Sequence, residues 1–318
     1  MTISILLLLL GLVLVVFGAD FMVDGASRLA RRWGLSEFLI GLTIVGLGTS
    51  APEMVVSFIG AAEGNADVSI GNVVGSNIIN VLLILGITAL ILPMAVTRDN
   101  RKADIPVNIA VTALLILLGM KQSIFGLGNN ELSRWEGAVF LLLFEIYMIY
   151  CFKSGKSDAE AVEKGLKNSV PLSLLMVAGG LAGLVVGGRL FVNNAVDLAR
   201  VLGVSDKFIA VTILAGGTSL PELATCVAAA IKKKGQLALG NIIGSNLSNI
   251  LLILGGSALI TPLSFSGMNW VDLGVLGISS IYLLSCTFMW KKNVLDRWDG
   301  AAFVLTWLGY MVYLFINL

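Results

Sequence analysis

The chain has 318 residues; 57% are hydrophobic and only 13% charged, against roughly 25% charged in an ordinary soluble domain. A folded body of this size needs more polar skin than that, so the composition excludes a large water-soluble domain and places the chain in lipid. Net charge is +1, from 21 Lys plus Arg against 20 Asp plus Glu, which leaves no basic surface for nucleic acid.

The first apolar run, residues 3–19, has no Lys or Arg before it and ends in Phe17-Gly18-Ala19, a poor cleavage site. It reads as a retained span, not a signal peptide. Continuous apolar runs between polar breaks then predict ten spans, at about 3–27, 36–62, 68–94, 104–121, 134–152, 169–199, 206–231, 236–262, 270–290 and 298–317. The runs do not alternate, so a β-barrel is not expected. The fold class expected is an all-α membrane protein.

Loop charges give an orientation. The loops after spans 1, 3, 5, 7 and 9 hold 16 Lys and Arg, and the loops on the other side hold four. That bias places the odd loops in the cytoplasm and both termini outside, in a multi-pass plasma (inner) membrane protein. Trp33, Trp135, Trp270, Trp290 and Trp298 fall near span ends, as an interfacial belt requires.

The halves repeat. A shift of 169 residues aligns 18–86 with 187–255 without a gap, with 28 identities in 69 pairs. GTSAPE (48–53) matches GTSLPE (217–222), and GNVVGSN (71–77) matches GNIIGSN (240–246). At a shift of 163, RWEGAVF (134–140) matches RWDGAAF (297–303). Each half holds five predicted spans; five is odd, so the second half enters the membrane inverted. The expected organisation is a first repeat over 1–152, a charged cytoplasmic linker over 153–168, and a second repeat over 169–318. Inverted repeats are the architecture of many secondary transporters, with the site at the midplane between halves.

The polar residues that repeat are the candidate site. Histidine is absent, which removes Ser-His-Asp and Cys-His catalysis, histidine zinc sites and histidine proton relays. Cys151, Cys226 and Cys286 are scattered, with no metal or disulfide spacing. Oxygen chemistry remains. In the second span Thr49 and Glu53 share a helix face, beside Ser50. Pro52 lacks an N–H and crowds the Gly48 carbonyl, so a kink is expected there. Thr218, Ser219, Pro221 and Glu222 repeat the set. In the third span Gly71 and Gly75 are spaced for close helix approach, and Ser76 and Asn80 share a face. Gly240, Gly244, Ser245 and Asn249 are their counterparts. Asn77 and Asn246 are offset, and are expected to hydrogen-bond backbone freed at the kink.

A carboxylate at the bilayer centre is disfavoured by about 2.5–3.5 kcal/mol on insertion scales, and two nearby repel. A divalent cation relieves both penalties. Oxygen ligands with two carboxylates suit Ca2+ or Na+ and not soft metals. Other polar residues carry weaker signals. Asp24 and Arg28 read as a surface i, i+4 pair, Asp20 is opposed by Arg189 in the repeat, and Glu145 stands equally for function or snorkelling.

GTSxPE and GNxxGSN, each occurring twice in inverted halves, resemble the alpha-repeats of the cation/Ca2+ exchanger superfamily, with the closest similarity to prokaryotic Na+/Ca2+ exchangers. The resemblance covers the whole chain. It implies four ion sites in a diamond between spans 2, 3, 7 and 8, with Glu53 and Glu222 binding Ca2+ and sharing in Na+ coordination. It implies ion-site roles for Thr49, Ser50, Ser76, Thr218, Ser219 and Ser245, with carbonyls of Gly46 and Ala215 contributing. It also implies that spans 1 and 6 slide to alternate access. One departure stands out: some Na+/Ca2+ exchangers carry Asp where this chain has Asn249, opposite Asn80.

The function expected is a secondary antiporter that extrudes Ca2+ against entering Na+, with no cofactor and no required protein partner. A Ca2+/H+ antiporter is the alternative within the class; a Ca2+-permeable channel and an intramembrane enzyme are the other classes. The inverted repeat argues against the channel, and the missing nucleophile–base pair against the enzyme. Charge counting favours electroneutral exchange; the resemblance favours electrogenic exchange with an extra Na+, and the expectation follows the resemblance.

Overall fold

A computed structural model describes residues 2–154, 170–202, 215–289 and 293–317. Its body is helical. Helix α1 (Thr2–Trp33) is followed by α2, a bent pair of Glu37–Thr49 and Ala51–Ala62. Next come α3 (Ala66–Ile91), α4 (Asn100–Gly119) and α5 (Arg134–Ser154). The second half contributes α6 (Val170–Val201), α7 (Leu220–Ile231), α8 (Gly235–Ile260), α9 (Trp270–Met289) and α10 (Arg297–Asn317). Eight of the described helices are long and apolar enough to cross a bilayer, nine with bent α2 counted as one span. The expected span over 206–231 begins outside the described residues, and most of the 153–168 linker lies there too.

Burial separates the helices into an inner and an outer set. Helix α8 is almost wholly buried, and α3 largely so. Both carry apolar or small residues all round, as a helix without a solvent face should. Outer helices α1, α5, α6 and α10 expose Leu6, Phe17, Leu142, Leu175, Leu305 and many like them. An outer surface of Leu, Ile and Phe is what a hydrocarbon solvent requires.

The expected kink is present, and proline is its cause. The two parts of α2 meet at Ser50, bent by 48°, with Pro52 in the first turn of the second part. Ser219 and Pro221 form the same start for α7, with near-identical backbone angles (φ −77°, ψ 5° at Ser50; φ −84°, ψ 7° at Ser219). Proline also ends helices. Pro93 and Pro262 follow α3 and α8, and the residues before them, Leu92 and Thr261, are extended.

That extended chain forms something the sequence reading did not foresee: two short antiparallel ladders. Strand β1 (Met94–Ala95) pairs with β4 (Val294–Leu295), and β2 (Glu131–Leu132) pairs with β3 (Leu263–Ser264). The two ladders tie opposite halves at opposite helix ends, and the 169 and 163 shifts carry β1 onto β3 and β2 onto β4.

Glycine governs the closest helix contacts. Helix α1 packs along α6 over most of its length. A Cβ on Gly18 would lie 2.8 Å from the Gly180 oxygen and 2.8 Å from the Leu184 nitrogen; one on Gly11 would lie 2.7 Å from the Gly187 oxygen. In α8, a Cβ on Gly240 or Gly244 would collide with the carbonyl oxygens of Phe38 and Leu42 in α2. This bears out the close approach expected for the second copy of the motif. Around Gly71 and Gly75 no described atom comes within 4 Å of a Cβ. The repeat counterparts of 38–42, residues 207–211, lie outside the described ones.

Gly244→Ala should therefore cost about 1–3 kcal/mol of stability through overpacking, read as a lowered melting temperature in detergent. Gly309→Ala, whose Cβ meets nothing within 4 Å, should stay within about 0.5 kcal/mol. Equal melting temperatures for both variants would refute the packing account.

Candidate functional site

The two breaks place Glu53 and Glu222 in the first turn of a new helical segment. Backbone N–H groups at such an N-terminus favour an acidic side chain. Each residue is only 1% exposed. Their carboxyl groups lie close enough to interact electrostatically.

Hydroxyls reach these acids from both halves. Ser76 in α3 donates to Glu53 Oε1 (3.5 Å), and so does Ser219 at the start of α7 (3.4 Å). Ser245 in α8 donates to Glu222 Oε1 (3.4 Å), and so does Ser50 at the α2 break (3.3 Å). Each acid thus takes one hydroxyl from its own half and one from the other. Ser245 also reaches the Gly46 carbonyl oxygen at 3.3 Å, which brings that backbone oxygen into the network.

A layer of four asparagines lies beside the acids. Asn80 Nδ2 donates to Asn246 Oδ1 (3.0 Å), and Asn249 Nδ2 donates to Asn77 Oδ1 (2.9 Å). Asn77 Nδ2 donates to the Asn246 carbonyl (3.2 Å). Asn77 and Asn246 therefore do not serve the proline kinks, as expected from sequence. They bind the facing helix and fix the amides of Asn80 and Asn249. The reason is a change of helical pitch that sequence periodicity does not show. Residues Ile79–Leu85 and Ser248–Leu254 form π-helical turns. The switch from i+4 to i+5 bonding displaces a carbonyl from the ladder, which then needs an outside donor.

Within this network four buried oxygens are left without a hydrogen-bond partner among the described residues: Glu53 Oε2, Glu222 Oε2, Asn80 Oδ1 and Asn249 Oδ1. All are hard donors. The soft atom nearby, Cys226 Sγ, is occupied in accepting from Asn241 Nδ2 (3.2 Å). The donor set therefore fits Na+ or Ca2+.

Thr49 is fully buried and donates to Asn241 Oδ1 (3.2 Å), with the Gly46 oxygen at 3.4 Å. Thr218 is half-buried and donates to Asn72 Oδ1 at 3.5 Å. Of the sequence-predicted set, Glu53, Glu222, Thr49, Ser50, Ser219, Ser76, Ser245, Asn80, Asn249 and Gly46 meet in one buried region. Thr218 joins it at the edge. Ala215 opens the short helical turn Ala215–Gly217.

Other placements differ from expectation. Asp24 pairs with Lys232 at the end of α7 (2.7 Å), and not with Arg28; Asp20 shares the same ammonium (2.6 Å). Burial alone would lower the Lys232 pKa, yet its hydrogen bonds to Asp20 and Asp24 hold it above the ordinary lysine value. Glu145 is exposed on α5. Sequence reasoning passed over Asn72 and Asn241, although both sit in the repeated GNxxGSN block; their identity under the 169 shift was the available signal. It also missed two clamps, the buried Tyr147 Oη to Asp104 (3.0 Å) and the half-buried Tyr310 Oη to Asp272 (2.6 Å).

Comparison with known proteins agrees with this chemistry. A family model described as sodium/calcium exchanger protein matches residues 3–153 and 172–316. The chain belongs to this family. It is 37% identical to the putative antiporter CaxA of Alkalimonas amylolytica, over 99% of each chain. It is 33% identical to the sodium/calcium exchanger MaX1 of Methanosarcina acetivorans, again over 99% of each. A solved structure of the sodium-calcium exchanger NCX_Mj, soaked with 10 mM Na+ and zero Ca2+, superposes with a TM-score of 0.86 at 35% identity, covering 98% of this chain and 99% of that one.

Asn77→Leu should leave Asn249 Nδ2 and the Asn246 carbonyl without partners in a buried layer. Each orphaned group costs about 1–3 kcal/mol, so the melting temperature should fall clearly below that of the unaltered chain. An unchanged melting temperature would mean that the asparagine layer does not hold the facing helices together.

Proposed function

We propose that this chain is a Na+/Ca2+ antiporter that extrudes Ca2+ across the plasma (inner) membrane. The observation that carries the reading is the set of four orphaned buried oxygens on Glu53, Glu222, Asn80 and Asn249. A buried polar group without a partner is costly, and two acidic ones in lipid more so. Ca2+ or Na+ in that place supplies the missing partner. Thr49, Thr218, Ser50, Ser219, Ser76 and Ser245 complete the ligand set with the Gly46 carbonyl, and Ala215 is assigned the matching carbonyl from its place in the repeat.

The architecture proposed is ten transmembrane helices in two inverted five-helix repeats, 1–152 and 169–318, joined by a cytoplasmic linker. The gapless alignment of 69 pairs at a shift of 169 supports it, as do the paired breaks, π turns and strand ladders. Both termini lie outside by the 16-to-4 loop bias. Alternating access comes from α1 and α6 sliding together across the bundle, a motion their glycine-lined contact suits because the close backbone packing holds the two helices as one body.

Glu53→Gln and Glu222→Gln should each abolish Na+-driven 45Ca2+ flux in proteoliposomes while the protein still inserts and purifies. Each keeps the side-chain shape and removes a charge facing the cation. Substantial Na+-driven exchange in either variant would make the carboxylates structural. Flux that follows a proton gradient and ignores Na+ would transfer the chain to the Ca2+/H+ class.

Coupling charge is the next expectation. Two carboxylates balance one Ca2+ or two Na+, and both positions 80 and 249 are neutral Asn. A third Na+ rests on carbonyl ends at the α2 break, such as Gly46, so exchange carries net charge. One charge moved across 100 mV is worth about 2.3 kcal/mol, so the reversal point of Ca2+ flux should move with clamped voltage. A voltage-independent reversal would make exchange electroneutral. Asn249→Asp should alter Na+ dependence more than Ca2+ half-saturation, and an equal loss of both would count against a Na+-side role.

A further inference from the structure

The network holds two residues that touch no orphaned oxygen yet repeat exactly under the 169 shift: Asn72 and Asn241. Their amide nitrogens are committed to partners other than the carboxyl groups. Asn72 Nδ2 donates to the Glu53 carbonyl oxygen (3.2 Å) and to Ser57 Oγ (3.1 Å). Asn241 Nδ2 donates to Cys226 Sγ (3.2 Å). Residue 226 is the counterpart of residue 57, so each amide is pinned from the same place on α2 or α7. With the nitrogen so committed, the amide oxygen faces one way only. Asn72 Oδ1 accepts from Thr218 (3.5 Å) and Asn241 Oδ1 accepts from Thr49 (3.2 Å), each across the boundary between halves.

A threonine hydroxyl has one proton and two acceptor lone pairs. Where its proton points decides what it offers a cation. The Thr49 hydroxyl has two acceptors in reach: Asn241 Oδ1 at 3.2 Å and the Gly46 oxygen at 3.4 Å. A proton on Gly46 occupies an oxygen that the cation needs and turns a positive hydrogen toward it. A proton on Asn241 leaves the threonine lone pairs and the carbonyl free. We propose that Asn72 and Asn241 are positioning residues that draw the Thr218 and Thr49 hydroxyl protons away from the ion site and so set the number of oxygen ligands it presents. The inference rests on the reading of both threonines as cation ligands. The physical benefit is preorganisation: a proton that already points outward need not turn when the cation arrives. Outer partners of this kind typically change metal affinity by about 10–100-fold when removed.

The test is a double-mutant cycle on the full chain in proteoliposomes. Half-saturating Ca2+ and maximal Na+-driven flux are measured for the unaltered chain, Thr49→Val, Asn241→Leu and the pair. Each single variant should raise half-saturating Ca2+ by about 10-fold, with maximal flux changed much less. The pair should be no worse than Thr49→Val alone, because the amide acts only through that hydroxyl. Multiplied effects, about 100-fold in the pair, would overturn the inference and leave the site reading intact. No shift in Thr49→Val would remove the site reading and the inference with it. Asn72→Leu with Thr218→Val runs the same cycle at a half-buried position and decides the question where Asn241→Leu fails to fold.

Discussion

Two acids buried within electrostatic reach of each other constrain everything near them. Glu53 and Glu222 have almost no exposure, and an unpaired carboxylate in such a place costs several kcal/mol. Each acid receives two neutral hydroxyls, all four on Oε1 atoms, and keeps Oε2 unpartnered. Hydroxyls lessen the cost of a charge without cancelling it. On the proposed reading the remainder falls to the cation, whose binding then completes the buried network.

The helix breaks follow from the same constraint. A continuous α-helix at this depth would commit every carbonyl to its own ladder and offer the acids only side chains. Pro52 and Pro221 interrupt that ladder one turn from the acids, and the π turns at Ile79–Leu85 and Ser248–Leu254 interrupt it again in the facing helices. Bare backbone is tolerated inside a membrane only where it is buried in protein or lines a cavity. The asparagine layer satisfies part of what the breaks release, and Ser245 contacts the Gly46 oxygen at the other. Broken helices, asparagines and acids are thus one arrangement, which is why they recur as a block in the sequence.

Much of this was legible beforehand, for a physical reason. Lipid permits only long apolar helices, so the spans stand out as runs, and proline fixes its own consequences locally at residues 52, 93, 221 and 262. The acids and hydroxyls were legible because duplication marks them twice. What escaped needs three dimensions. The Tyr147–Asp104 clamp joins residues 43 apart in sequence, and Lys232 reaches Asp24 across 208 positions. The π turns lie where α3 and α8 pack against each other, and no residue type announces them. Asn72 and Asn241 were visible in the repeat, and their i, i+4, i+8 spacing with Ser76 and Asn80 and with Ser245 and Asn249 even places them on the shared face, but the threonines they bind lie in the other half, which one-helix reasoning does not reach.

The halves are alike in what they offer an ion and unlike in what surrounds it. Asn241 and Gly244 are buried, whereas Asn72 and Gly75 are half-buried and Gly71 is exposed. The ion pairs differ in the same sense. Lys232 ties the end of α7 to Asp20 and Asp24 of α1. Under the 169 shift these three become Glu63, Arg189 and Asn193, so the charges of the pair are inverted. Glu63 and Arg189 are both exposed, and among the described residues no ion pair joins them. A repeat with identical ends would give both sides of the membrane the same contacts. On the proposed reading the centre keeps its residues in both copies because both face one ion, while the ends, which then face different sides, have diverged.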